Sequence, residues 1–143
     1  MAGIVVGVDG SAHSRKALER AAVEAVAHGT PLTVFTVHQA VRDVYGAVSH
    51  YAEDASLTEK AKEAAQAEAD EVLSGLDSKP ASVTVTAVHG LPVDELIKAS
   101  QGADMLVMGR RGMGGFPRLT MGSVTSQVVH HAHCAVLIVP PAD

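Results

Sequence analysis

Between Met108 and Ser123 the stretch MGRRGMGGFPRLTMGS sets Gly109, Gly112, Gly114, Gly115 and Gly122 among Arg110, Arg111 and Arg118. Glycine costs entropy to order and adds nothing to a core, so such crowding points to a place where something must approach the backbone closely. A loop that runs into a helix leaves backbone N–H groups unpaired, with the positive end of the helix dipole behind them. That combination binds anions, phosphate above all. Ser123, at the start of the following helix, can cap it or hydrogen-bond a phosphate. Arginine suits phosphate through its planar fork of donors. A solvated, mobile turn is the competing reading.

Two common phosphate motifs do not fit. A Walker A loop needs a lysine next to its last glycine, and none lies near. A dinucleotide fingerprint starting Gly112-Met113-Gly114 would reach Pro117 where its final glycine belongs, on the wrong strand of the chain.

The elements that must position this loop follow from hydrophobic patterning. The run GIVVGV (3–8) reads as a strand buried on both faces. Residues 11–29 read as a helix whose apolar face is Leu18, Ala21, Ala22 and Ala25, with Ser11 or Ser14 as cap and Gly29 as stop. Further strands are expected at 32–37, 82–88, 104–109 and 135–140. Helices are expected at 56–74, with a stripe of Leu57, Ala61, Ala65, Ala69, Val72 and Leu76, at 92–100 behind Pro92, and at 122–133. Strict alternation of strand and helix predicts an α/β fold, a doubly wound five-stranded parallel sheet in the order 3-2-1-4-5 with helices on both faces. One domain over 1–143 is expected. Ligands of such sheets lie beyond the carboxyl ends of the strands where the order reverses, here at VDGS after the first strand and GRRGMGG after the fourth. Residues 38–54 are too long for a plain connection and suggest a lid, a flap, a short helix or a disordered loop.

The spacing G-x2-G-x9-G-[ST] is met by Gly109, Gly112, Gly122 and Ser123, and together with IVVGVDGS and HAHCAVLIVP the chain resembles the universal stress protein family. The resemblance runs the whole length and is to the members that keep this motif and bind ATP. It implies a Rossmann-like nucleotide-binding regulator, with ATP, AMP, cyclic AMP or another adenine nucleotide in the cleft and Mg2+ beside it. Val8 and Asp9 would line the ribose side, Asp9 also being a possible Mg2+ contact. The backbone at Gln39 would meet adenine, although related sequences often carry an apolar residue there. Met108, Gly109, Arg111 and Gly112 would lie along ribose and phosphates, and Gly122, Ser123 and Val124 would hold phosphate at the helix start. A helix-capping role is the competing reading of Asp9.

No catalytic set stands out: Ser11, Ser14 and His13 are adjacent in sequence without a nucleophile elbow. A slow ATPase or phosphotransferase using the same site, with Asp9 or a histidine of 38–54 as base, and a nucleotide-free dimeric stress factor are the alternatives. His130, His133 and Cys134 have metal-compatible spacing, yet they read as helix-end and strand-start residues. The apolar strand 135–139, at a sheet edge, is expected to pair across a two-fold axis in a homodimer, which the resemblance also implies.

Composition bounds the rest. With 47% apolar and 3% aromatic residues the core must be aliphatic. The net charge of −5 argues against direct nucleic-acid binding. A single cysteine allows no internal disulfide, and neither a basic leader nor a long apolar run is seen, so a cytoplasmic protein with no membrane segment is expected.

Overall fold

The computed structural model describes residues 3–39, 41–42, 48–49, 55–110 and 122–141. Its elements run β1 (Ile4–Gly7), α1 (Ala12–His28), β2 (Leu32–Gln39), β3 (Val41–Arg42), β4 (Val48–Ser49), α2 (Ala55–Ser74), β5 (Val83–Gly90), α3 (Pro92–Ser100), β6 (Met105–Gly109), α4 (Ser123–His131) and β7 (Ala135–Val139). Five parallel strands form one sheet in the order β5-β2-β1-β6-β7, the expected 3-2-1-4-5. Within 38–54 the described residues are strand: β2 reaches Gln39, and β3 pairs antiparallel with β4.

Alternation along each strand sorts the side chains into two aliphatic layers. Ile4, Val6, Val8, Leu32, Val34, Val85 and Val107 meet Ala17, Leu18, Ala21, Ala22 and Ala25 of α1 and Ala65 and Ala69 of α2. Val5, Phe35, Val37, Leu106, Met108, Val136 and Ile138 turn the other way, toward Leu96 of α3 and Val124 and Val128 of α4. Helices α1 and α2 therefore cover one face, and α3 and α4 the other. The small residues on α1 let its backbone lie close over β1 and β6.

The helix ends are set locally. Ser11 is the N-cap of α1, its hydroxyl accepting from Ser14 N–H at 3.2 Å. Gly29 closes α1 in the left-handed region at φ 62°, where a Cβ would be strained. Pro92 opens α3 at its first position, where no N–H is missed. Leu57 departs from the expected stripe. It lies in the first turn of α2 and is 39% exposed, whereas burial on this helix begins at Ala65.

Two contacts lock α1 to its neighbours. The first is steric: a Cβ built on Gly109, at the end of β6, would stand 2.9 Å from His13 O and 3.0 Å from His13 C. The second is polar. Ser14 Oγ lies 3.0 Å from Ser11 O and 3.3 Å from Glu68 Oε1 of α2, and a hydroxyl has one proton for the two acceptors. Burial pushes the Glu68 carboxyl above the usual carboxylate range, opposed by the Ser14 hydrogen bond and the Arg15 charge and reinforced by Asp9 and Glu71. Protonated Glu68 can donate to Ser14 Oγ, leaving the Ser14 proton for Ser11 O.

These contacts yield two expectations. Gly109→Ala drives a methyl into backbone that cannot swing aside, and should lower stability by about 1–3 kcal/mol in denaturant unfolding; wild-type stability would mean that α1 retreats freely. A raised folded-state pKa gives stability that is present below the unfolded value and lost as pH rises through the folded one. Glu68→Gln removes that loss while keeping a donor to Ser14. Its advantage over wild type should therefore widen as pH rises from the ordinary carboxylate value of about 4 through the raised value of folded Glu68. A constant difference across that window would contradict the buried protonation.

Candidate functional site

The strand order reverses between β1 and β6. After β1 the chain crosses to α1 on one face, and after β6 to α4 on the other, so a crevice opens beyond their carboxyl ends. Three hydrogen bonds fix its floor. Val8 N–H continues the β1 ladder by donating to Phe35 O at 2.9 Å. Arg110 N–H donates to Val139 O at 3.0 Å, and Gly122 N–H donates to Arg110 O at 2.9 Å. The last of these joins the two ends of the glycine-rich segment. From within α4, Thr125 Oγ1 donates to Gly109 O at 3.1 Å in a buried bond.

The start of α4 is consequently fixed at the crevice. Gly122 is its N-cap, at φ −70° and ψ 158°, and the first bond of the helix runs from Ser126 N–H to Gly122 O at 2.9 Å. The N–H groups of Ser123, Val124 and Thr125 precede that bond, and a glycine cap offers no side-chain oxygen to them. Of the two roles expected for Ser123, capping is not taken: it is the first helical residue, and its side chain is exposed.

Asp9 is exposed, and its Oδ1 accepts from Ser11 N–H at 2.9 Å, so it does steady the entry to α1. Its carboxylate is thereby held at the end of β1 and carries a further interaction. Val8 and Met108, each 6% exposed, point to opposite faces of the sheet, and their side chains belong to the two core layers. Gln39 ends β2 opposite Gly90. Val124 is half-buried against the α3–α4 layer. Gly109 stands at the crevice too, but the missing Cβ is already accounted for by His13. Arg111 and Gly112 lie outside the described residues, as do Gly114, Gly115 and Arg118.

Patterning did not single out Thr125, which belongs to no motif or apolar stripe, and it weighed His13 only beside Ser11 and Ser14 as a catalytic set. Two buried side-chain nitrogens in this part of the chain, His13 Nδ1 and Arg110 Nε, have no hydrogen-bond partner among the described residues. Such orphans are rare in folded proteins.

The histidine-rich end of α4 is engaged elsewhere. His130 Nδ1 lies 2.8 Å from Ser126 O, and His133 N–H donates to Ser100 Oγ at 3.0 Å. Burial pushes the Cys134 thiol above its ordinary range, which disfavours thiolate chemistry. Among the described residues no three histidine, cysteine, aspartate or glutamate side chains gather as metal ligands, and no helix is long and apolar enough to cross a membrane.

The profile of the Universal stress protein family matches residues 2–140. A Thermus aquaticus protein, the universal stress protein in the QAH/OAS sulfhydrylase 3' region, is 34% identical over 139 residues, 95% of this chain and 96% of its own length. The universal stress protein UspA from Lactobacillus plantarum superposes with a TM-score of 0.76 at 26% identity, covering 96% of this chain and 97% of its own. A universal stress protein solved in complex with cAMP gives 0.63 at 26% identity, covering 99% and 98%. Several mycobacterial relatives are longer, and this chain spans about half of each, 49% in the case of one from Mycolicibacterium smegmatis. By profile, sequence and fold together, the chain belongs to the universal stress protein family.

Proposed function

We propose that this chain is a nucleotide-binding regulator that takes ATP or a related adenine nucleotide into the crevice between β1 and β6. The observation that carries the reading is the start of α4. Three uncapped N–H groups and the positive end of a helix dipole stand at the topological switch point, a ready site for phosphate. The conformation of Gly122 lies in the extended region open to any residue, so its lack of a side chain is not required by the backbone. It leaves room for a ligand to reach those N–H groups. The relative bound to cAMP supports an adenine nucleotide as the class of ligand.

In this reading Gly122, Ser123 and Val124 hold the phosphates, with Arg111 and Gly112 from the glycine-rich segment. Asp9 and the backbone of Val8, Met108 and Gly109 border the ribose, and the backbone at Gln39 meets adenine. With the described residues, Mg2+ fits this donor set as an ion carried largely by phosphate oxygens and water, with Asp9 as the carboxylate beside it. Bound nucleotide would act by changing the conformation or partners of a dimer, in which the edge strand β7 pairs with its counterpart.

Val136 and Ile138 face the core layer of α3 and α4, so charges placed there would damage packing as well as any dimer. Light scattering of the unmodified chain is the cleaner measurement and should read the mass of two chains; a monomer at micromolar concentration would remove the dimer. For the pocket, Gly122→Val should keep the fold, at a capping cost of about 1 kcal/mol or less, while weakening ATP, AMP or cAMP binding at least tenfold in calorimetry. Equal affinity in wild type and variant would sink the assignment of phosphate to α4.

A further inference from the structure

Near the carboxyl end of β2 and β5, His38 and His89 stand opposite one another in the parallel register. Side chains directly across neighbouring strands share a face and lie within reach of each other. Here the two rings meet Nδ1 to Nδ1 at 3.2 Å, half-buried, with ring centres 5.1 Å apart and planes inclined by 47°. We propose that this pair is a chelate site for a divalent transition-metal ion with a preference for imidazole, Zn2+ or Cu2+.

The two distances together carry the inference. A straight N–H···N bond of the observed length would put the ring centres about 5.5 Å apart, since each centre lies about 1.1 Å behind its nitrogen. The observed separation is shorter, so the two nitrogens are not simply aimed at each other along one line. Two imidazoles that share a tetrahedral ion at about 2.0–2.1 Å have nitrogens about 3.3 Å and ring centres about 5.2 Å apart. Both observed values fall within about 0.1 Å of that arrangement. The rings are thus spaced as two corners of a tetrahedral site, held by the backbone ladder on which both strands run.

Chemistry favours the same conclusion. Without an ion, two facing Nδ1 atoms need one hydrogen between them, one ring donating and the other accepting. An ion accepts both lone pairs, and the ring that held the hydrogen on Nδ1 carries it on Nε2 instead. Imidazole is a preferred ligand of zinc and copper, whereas magnesium and calcium favour oxygen. Among the described residues no third histidine, cysteine or carboxylate joins the pair. The site does not depend on nucleotide binding and is tested without nucleotide.

The background for the test is the chain carrying His130→Gln, His131→Gln and His133→Gln, which silences the other histidine cluster. Titrated with ZnCl2 by calorimetry at neutral pH, it should bind one ion per chain. Adding His38→Gln or His89→Gln should weaken that binding at least tenfold. With one equivalent of CuCl2, the background chain should show electron paramagnetic resonance splitting from two imidazole nitrogens, a readout that stands even if a variant of the pair fails to fold. Absence of binding, affinity unchanged by folded His89→Gln, or a copper spectrum without two imidazoles would each overturn the site.

Discussion

Two residues at the end of β6 carry the geometry on which the crevice depends. Gly109 must stay bare because the first turn of α1 passes against it, with His13 O only 2.9 Å from where a Cβ would lie. Its carbonyl receives the Thr125 hydroxyl of α4, so the same residue touches helices on both faces of the sheet. Arg110 then continues the ladder to Val139 and receives Gly122 N–H. Within two peptide units the chain fixes α1, α4, β7 and the closure of the glycine-rich segment. Displacing Gly109 would therefore shift both walls of the crevice together.

The rest follows from how the aliphatic residues alternate. Because β1 buries both its faces, α1 and α4 can leave the neighbouring strands β1 and β6 toward opposite sides without exposing either layer. Their start points then diverge, the arrangement that makes a switch point beyond the strand ends. Thr125 has a second consequence here. By tying the first turn of α4 to Gly109, it holds the start of the helix, where the first N–H groups lie, beside the end of β6.

Strand order, helix faces and caps were legible because each rests on local signals: the apolar runs of β1, β6 and β7, the Ser11 cap, the Gly29 stop and Pro92. The ends of β2 and β5 were not, since His38, Gln39, His89 and Gly90 carry no apolar pattern, and each strand is prolonged by its partner. The same holds for the Ser14–Glu68 contact, 54 residues apart in sequence, where a glutamate on an acidic helix gives no sign of burial. The switch point itself was readable, because alternation fixed the order. The division of labour among its residues was not. Val8 and Met108 are core residues, Ser123 leaves the cap to Gly122, and Asp9 holds Ser11 N–H at the crevice edge.

That division bears on what a glycine motif means. Gly109 and Gly122 look alike in the spacing, yet one is demanded by packing against α1 and the other by nothing in its own backbone conformation. Selection for the fold alone would retain Gly109 in a chain that bound no ligand, because any side chain there meets the carbonyl of His13. Gly122, at φ −70° and ψ 158°, has a backbone conformation that any residue can adopt. At a helix start where serine or aspartate would cap better, a glycine leaves the first N–H groups open to whatever enters the crevice. Gly122 and Ser123 thus stand where a ligand would be held, while Gly109 serves the packing of α1 against β6.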